Sequence, residues 1–293
     1  MNNPTIERLI RISHDKPLNP ETYIPWAEPK KETERVLPEH MVSLQGLPEY
    51  NSLTKTQTDE IARHEVVQFM YSYTWGEAIL VAFLGRQIVH LKPESSEYRY
   101  ILCEVIEESR HQEMFIKGIK QLDGDPISPS RQHTFWGKLA CRYFPRPWMF
   151  MVSISAELIS DDYGREVQAD KSVYQVLRKM AELHQIEEGR HIHFTKTYLE
   201  TCTKNAGFMR RSIYSIIIAL NIHFMRTMYV KKEIFERAGV ENPKRMYKIA
   251  RKHYRDKFSK YCLKSAVEFT KEFNGFNWIT RPFWNGLLNA QIK

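Results

Sequence analysis

Glu107-Glu108-Ser109-Arg110-His111 and Glu187-Glu188-Gly189-Arg190-His191 are one short sequence written twice, matching at four of five positions. Each copy falls in the middle of a stretch whose apolar residues recur at helical spacing, so each is read as part of a helix. On a helix, a Glu and a His three residues apart share a face and can reach the same point in space. A single Glu-x-x-His is a common surface accident. Two near-identical copies raise a sharper question, namely whether a Glu stands upstream of each. A Glu-x-x-His from each of two helices, with one Glu from each of two others, is the ligand set of a di-metal carboxylate bundle.

Both upstream carboxylates are present. Glu77 lies in Tyr73-Thr74-Trp75-Gly76-Glu77-Ala78-Ile79-Leu80, and on a helical wheel its neighbours are Val66, Met70, Tyr73, Leu80, Val81, Leu84 and Ile88. A bare carboxylate in that company is costly to ionise unless a cation pairs with it. Glu157, in Ser155-Ala156-Glu157-Leu158-Ile159, holds the matching place before the second copy. Within each Glu pair, spacings of three and four both face the His. Glu108 shares its face with Ile101, Val105, His111, Phe115 and Ile119 and is assigned to the interior, whereas Glu107 turns toward Tyr100, Cys103, Arg110 and Met114. Glu188 is assigned in the same way, beside Leu177, Ala181, Ile192 and Leu199.

His184 stands four residues before Glu188 on the same face, which makes four carboxylates and three imidazoles. Such a set, with open positions, suits iron that must bind oxygen. A zinc site would use fewer ligands or thiolates, and Cys103, Cys141, Cys202 and Cys262 are not placed for that. Asp161 and Tyr73 read either as partners of the ligands or as satisfied core groups. His64 and His193 read as non-ligands.

The rest of the chain is organised around these helices. The fold class is all-α: a ferritin-like four-helix bundle at 56–205, with an N-terminal arm at 1–55 and additional helices and a tail at 206–293 packed on the bundle as a single domain. The arm is read as irregular because Pro4, Pro17, Pro20, Pro25, Pro29, Pro38 and Pro48 recur too often for a long helix. Bundle helices are expected from Thr58 through His90, and over about 96–122, 147–168 and 172–202, with a loop at 123–130. Further helices are expected over 208–237 and 242–260, followed by an aromatic-rich tail. No period-2 strand pattern stands out.

The net charge of +8 is concentrated between Arg226 and Tyr261, where twelve Lys and Arg face Glu233, Glu236, Glu241 and Asp256. Such a segment is either a solvated basic face or an attractor for an acidic substrate, carrier protein or redox partner. No nucleic-acid module accompanies the charge, so nucleic acid is not the expected partner. The N-terminal residues lack a signal-peptide layout, and the apolar run Ile213–Val230 is interrupted by Asn221, His223 and Arg226. With four cysteines and no CxxC pair, a cytoplasmic protein with reduced thiols and no membrane span is expected.

Glu77, Glu108, His111, Glu157, His184, Glu188 and His191 together resemble the p-aminobenzoate N-oxygenase (AurF-like) family of ferritin-like di-iron oxygenases. The resemblance covers about residues 60–205. The stretch Glu107-Glu108-Ser109-Arg110-His111-Gln112-Glu113-Met114-Phe115 is similar to that family's first His motif, and His184 corresponds to its additional His on the last bundle helix. The resemblance implies two iron ions, O2 as co-substrate and a peroxo-diferric intermediate. It further implies N-oxygenation of a small amine, aryl or amino-acid-derived, to a hydroxylamine or nitro product. No flavin or nicotinamide motif is present, so the external electron donor is a separate reductase or a small reductant. Other readings stay open: a di-iron oxidase acting on C–H bonds by hydroxylation, desaturation or C–C cleavage, and a radical-generating or iron-storage protein. A radical subunit would need a tyrosine beside the metals, for which Tyr73 and Tyr174 are the candidates. Manganese in place of iron, an acidic or carrier-bound substrate, and a homodimer are left open as well.

Overall fold

The computed structural model describes residues 3–293. Its helices are α1 (Pro4–Asp15), α2 (Pro20–Tyr23), α3 (Pro48–Asn51), α4 (Lys55–Ile88), α5 (Ser96–Gln121), α6 (Arg131–Tyr143) and α7 (Arg146–Ala169). They continue with α8 (Gln175–Thr203), α9 (Phe208–Tyr229), α10 (Lys232–Arg237), α11 (Pro243–Cys262), α12 (Lys264–Glu272) and α13 (Arg281–Leu288). The fold is all-α. Among the described residues there is no strand, only an isolated bridge between Arg35 and Val173 that pins the arm to the start of α8.

The long helices start where the backbone donors of the first turn find side-chain acceptors. Thr54 and Gln57 form a capping box at α4, and Ser95 and Ser130 cap α5 and α6. α4 lies along α5 and α7 along α8, and the two pairs meet through α5–α8 and α4–α7 to make the four-helix bundle. α9 packs on α7 and α4, with α13 on its other side, while α1 lies against α5.

Three parts differ from the reading of the sequence. The arm at 1–55 is not irregular throughout, because Pro4, Pro20 and Pro48 begin helices instead of breaking them. At the first helical turn a missing N–H costs nothing, and Asn3 caps α1, whose Ile6, Leu9 and Ile10 are buried. α6 was not anticipated; of its residues only His133 and Gly137 are buried. The span 208–237 divides into α9 and α10, and the aromatic-rich tail holds α12 and α13. Trp284 of α13 is fully buried and donates from its indole to Ser215 Oγ at 3.0 Å.

By length and composition α9 is apolar enough to cross a membrane, yet half of its most apolar window is buried inside the protein. The polar residues that interrupt it have work there. Asn221 donates to Val152 O at 3.1 Å and Ser155 Oγ at 2.8 Å, and Arg226 is buried. Part of the basic segment is likewise structural: Lys257 donates to His40 O and Gln45 Oε1, and Arg237 pairs with Asp125.

Candidate metal centre

The four bundle helices bring buried donors to one place. α4 carries Glu77, α5 carries Glu108 and His111, α7 carries Glu157, and α8 carries His184, Glu188 and His191, all of them buried. Donor atoms of Glu77, His111, His184 and Glu188 lie within 4.8 Å of one another, and so do those of Glu108, Glu188 and His191. Glu188 belongs to both groups. His184 Nε2 is 3.3 Å from Glu77 Oε1 and 3.1 Å from Glu188 Oε1. His191 Nδ1 is 3.1 Å from Glu108 Oε1, and His111 Nδ1 is 3.6 Å from both Glu108 and Glu188. Glu157 stands outside both groups. One of its oxygens accepts the Ser153 hydroxyl at 2.6 Å, and the other is buried without a partner.

The first Glu of each repeated motif does something the sequence reading missed. Glu187 meets His111 Nε2 at 2.9 Å, and Glu107 meets His191 Nε2 at 2.9 Å. Each motif therefore holds the imidazole of the other, leaving Nδ1 of both rings turned inward. Arg190 reaches Glu107 at 2.7 Å and Glu187 at 3.3 Å, and Arg110 reaches Glu187 at 3.4 Å. All four matched positions of the repeat thus act in the site. The signal was present, because the Arg recurs with the Glu and His, but no role had been assigned to it. Glu104 was also missed: it lies one turn before Glu108, is fully buried, and has no partner for either oxygen.

Several residues singled out from the sequence lie elsewhere. Asp161 is bound by Arg165 and Gln185. His64 contacts Glu60, and His193 is exposed. Tyr174 bonds with Glu28 O and Gln121 at the far end of α8, whereas Tyr73 lies close to the cluster, its ring centroid 6.3 Å from that of His184. The hydroxyl of Tyr73 donates to Ala156 O at 3.0 Å.

The donor set fits two divalent cations. Both oxygens of Glu108, one oxygen each of Glu77, Glu157 and Glu188, and Nδ1 of His111 and His191 are buried with no hydrogen-bond partner. Unpaired buried carboxylates carry a heavy desolvation cost that a cation removes. Without one, the groups must share protons. Burial pushes Glu77 well above the usual carboxylate range, and burial together with Glu188 pushes Glu157 up to about 8. Burial works against the charged forms of Glu108 and Glu188 too, but the surrounding imidazoles hold both below the ordinary value. Burial also opposes protonation of His111, yet Glu108 and Glu187 raise it to about 9. Two divalent ions would replace these protons with the same number of positive charges as there are carboxylates.

A cavity of about 450 Å³ opens beside the cluster, bounded by α4, α6, α7 and α9. Glu77, Glu108, Glu157 and Glu188 line one side, and most of the remaining wall is apolar. Such a space, with a few polar groups converging at one end, is the usual form of a small-molecule site.

Among curated proteins, the chain is 28% identical over 149 residues to the uncharacterized proteins Mb0909 of Mycobacterium bovis and Rv0885 of Mycobacterium tuberculosis. That match takes in 50% of this chain and spans only 44% of the length of either relative. Among solved structures, a tyrosine-to-phenylalanine variant of an R2-like ligand-binding oxidase with an aerobically reconstituted Mn/Fe cofactor aligns with a TM-score of 0.54 at 13% identity, over 94% of each chain. The same oxidase with its reconstituted metal cofactor after photoconversion aligns with a TM-score of 0.50 at 13% identity, over 92% of this chain and 93% of that one. At such identity the likeness speaks for the ferritin-like fold alone. The family described as P-aminobenzoate N-oxygenase AurF matches residues 2–274, and the chain belongs to that family.

Proposed function

We propose that this protein is a non-haem di-metal monooxygenase, with iron as its metal, that N-oxygenates a small amine held in the cavity. Glu77, Glu108, His111, Glu157, His184, Glu188 and His191 are the residues that would hold the ions. Bound iron would supply O2 activation and the redox change. The protein's own share is positional. Glu107 and Glu187 orient the imidazoles, Arg190 neutralises both of those carboxylates, and the apolar walls keep water from the reacting end of the substrate.

The observation that carries this reading is the third imidazole. His184 stands beside Glu77 and the shared Glu188, which adds a neutral nitrogen donor to the common carboxylate-bundle set. The test is to load the protein with ferrous iron, admit oxygen, and offer a panel of amines, looking for hydroxylamine and nitro products by mass. Turnover of alkyl or acyl substrates with every amine untouched would reject N-oxygenation. C–H oxidation is the second reading, and the apolar cavity wall is what favours it.

The electrons come from a separate donor. Lys244, Lys248, Arg251 and Lys252 are exposed along α11 and would face an acidic reductase. Turnover driven by such a partner should fall as salt rises, because attraction between exposed charges is screened over about 8 Å at physiological ionic strength.

A further inference from the structure

The cavity differs from what an acidic substrate needs. No Lys or Arg lines it among the described residues, and its acidic groups are the four glutamates at one end. The opposite wall, from α6 and α9, is built of Trp136, Ala140, Phe144, Ile217 and Leu220. Trp136 is 52% exposed and Leu220 45%, so the cavity reaches the surface between these two helices. Besides Tyr73, whose hydroxyl burial keeps protonated, His223 is the other titratable group on the wall. Burial and the neighbouring Arg226, 3.3 Å away, push it down and away from being a standing cation. A substrate whose nitrogen lies at the glutamate end thus puts its other end against apolar side chains. A carboxylate held against those side chains would find no lysine or arginine in the wall to pair it.

Gly76 leaves room in this space because of where it stands. It lies in mid-α4 between Trp75 and Glu77, lines the cavity, and is not among the glycines with positive φ. A Cβ added there would meet nothing within 4 Å. Neither backbone conformation nor close packing calls for glycine, and glycine weakens a helix interior. What a side chain would take is room beside Glu77. Gly137 lines the cavity from α6, where a Cβ would stand 2.6 Å from the Trp75 ring. Its absence leaves space for the edge of that indole.

We propose that the cavity's occupant is an amine whose remainder is uncharged and apolar, with no carboxylate, and that Gly76 sets its room. The amine in this statement rests on the N-oxygenase reading; the neutral, apolar character does not. Titration calorimetry on the iron-loaded protein under nitrogen tests it, with 4-butylaniline and p-aminobenzoate as probes. The expected result is that 4-butylaniline binds at least about tenfold more tightly than p-aminobenzoate. Gly76→Leu should weaken 4-butylaniline by about tenfold or more, as should Ala140→Phe on the opposite wall, while Gly85→Leu on an exposed turn of the same helix should leave it unchanged. Equal or tighter binding of p-aminobenzoate would overturn the proposal. So would wild-type affinity in both Gly76→Leu and Ala140→Phe. If 4-butylaniline binds as expected but yields no N-oxidised product once oxygen is admitted, the N-oxygenase reading fails and the character of the occupant stands.

Discussion

The half of the centre on α4 and α5 and the half on α7 and α8 are built on one template and then diverge. Both carry an upstream Glu and a Glu-Glu-x-Arg-His motif, and each motif clasps the imidazole of the other at 2.9 Å. The divergence lies one turn away from the shared residues. Before Glu108 stands Glu104, buried and unpartnered; before Glu188 stands His184, between Glu77 and Glu188 and with Ser160 Oγ at its other nitrogen. Before Glu157 stands Ser153, which takes one of its oxygens, whereas before Glu77 stands Tyr73, whose hydroxyl goes to Ala156 O instead. A symmetric frame thus presents two unequal positions. One is faced by His111 and His184, the other by His191 alone. The inequality comes from single residues and needs no change in the helices.

The largest effect should come from Glu188, the residue common to both positions. Glu188→Ala should strip most of both metal ions, while Glu157→Ala, outside both groups, should keep more of them. Metal analysis after dialysis decides this, and equal losses in the two variants would break the contrast.

A buried carboxylate away from the centre serves as the control. Glu65 on α4 accepts the Ser43 N–H at 3.0 Å, and burial raises it to about 7, against the pull of that hydrogen bond and of Lys257. With no metal position beside it, it relieves burial by keeping its proton. Because its folded value is raised, the stability it contributes is complete below the ordinary carboxylate value and is lost as pH rises through 7. The difference is on the order of 3 kcal/mol. Denaturant titrations at pH 5 and pH 8 should show it, and Glu65→Gln should flatten the difference.

Smaller still is the effect of the clasping residues. Glu107→Gln and Glu187→Gln should each weaken metal binding by about 10–100-fold without unfolding the bundle. Similar losses are expected because each holds its imidazole at 2.9 Å. A large inequality would show that the two halves differ in their support as well as in their donors.

The smallest effect lies next to the upstream carboxylates, where Gly76 precedes Glu77 and Ala156 precedes Glu157. Gly76→Ala makes the halves alike and should stabilise the protein by up to about 1 kcal/mol, read as a small rise in Tm. A lower Tm would mean that glycine is required by the fold and not by the cavity.

The sequence by itself determined which side chains share a face. Glu77, Glu157, the two Glu-x-x-His motifs and His184 were legible because spacings of three and four residues are converted to a common direction by the backbone hydrogen bonds of one helix. The all-α class was legible for the same reason. What it did not determine were contacts between helices. Arg110 and Arg190 recur visibly, but a helical wheel does not say where the imidazole of another helix points. α1 hid behind prolines counted as breakers, and α6, short and turned toward a cavity, buries only His133 and Gly137. That Glu188 is shared while Glu157 stands aside depends on how α7 and α8 are rotated and staggered. Contacts such as Gly164 against the side chain of Gln185, with a Cβ position only 3.2 Å away, set that arrangement. Spacing along a helix is a local property of the chain. Distance across the bundle is the outcome of packing among residues far apart in sequence, and only the tertiary structure decides it.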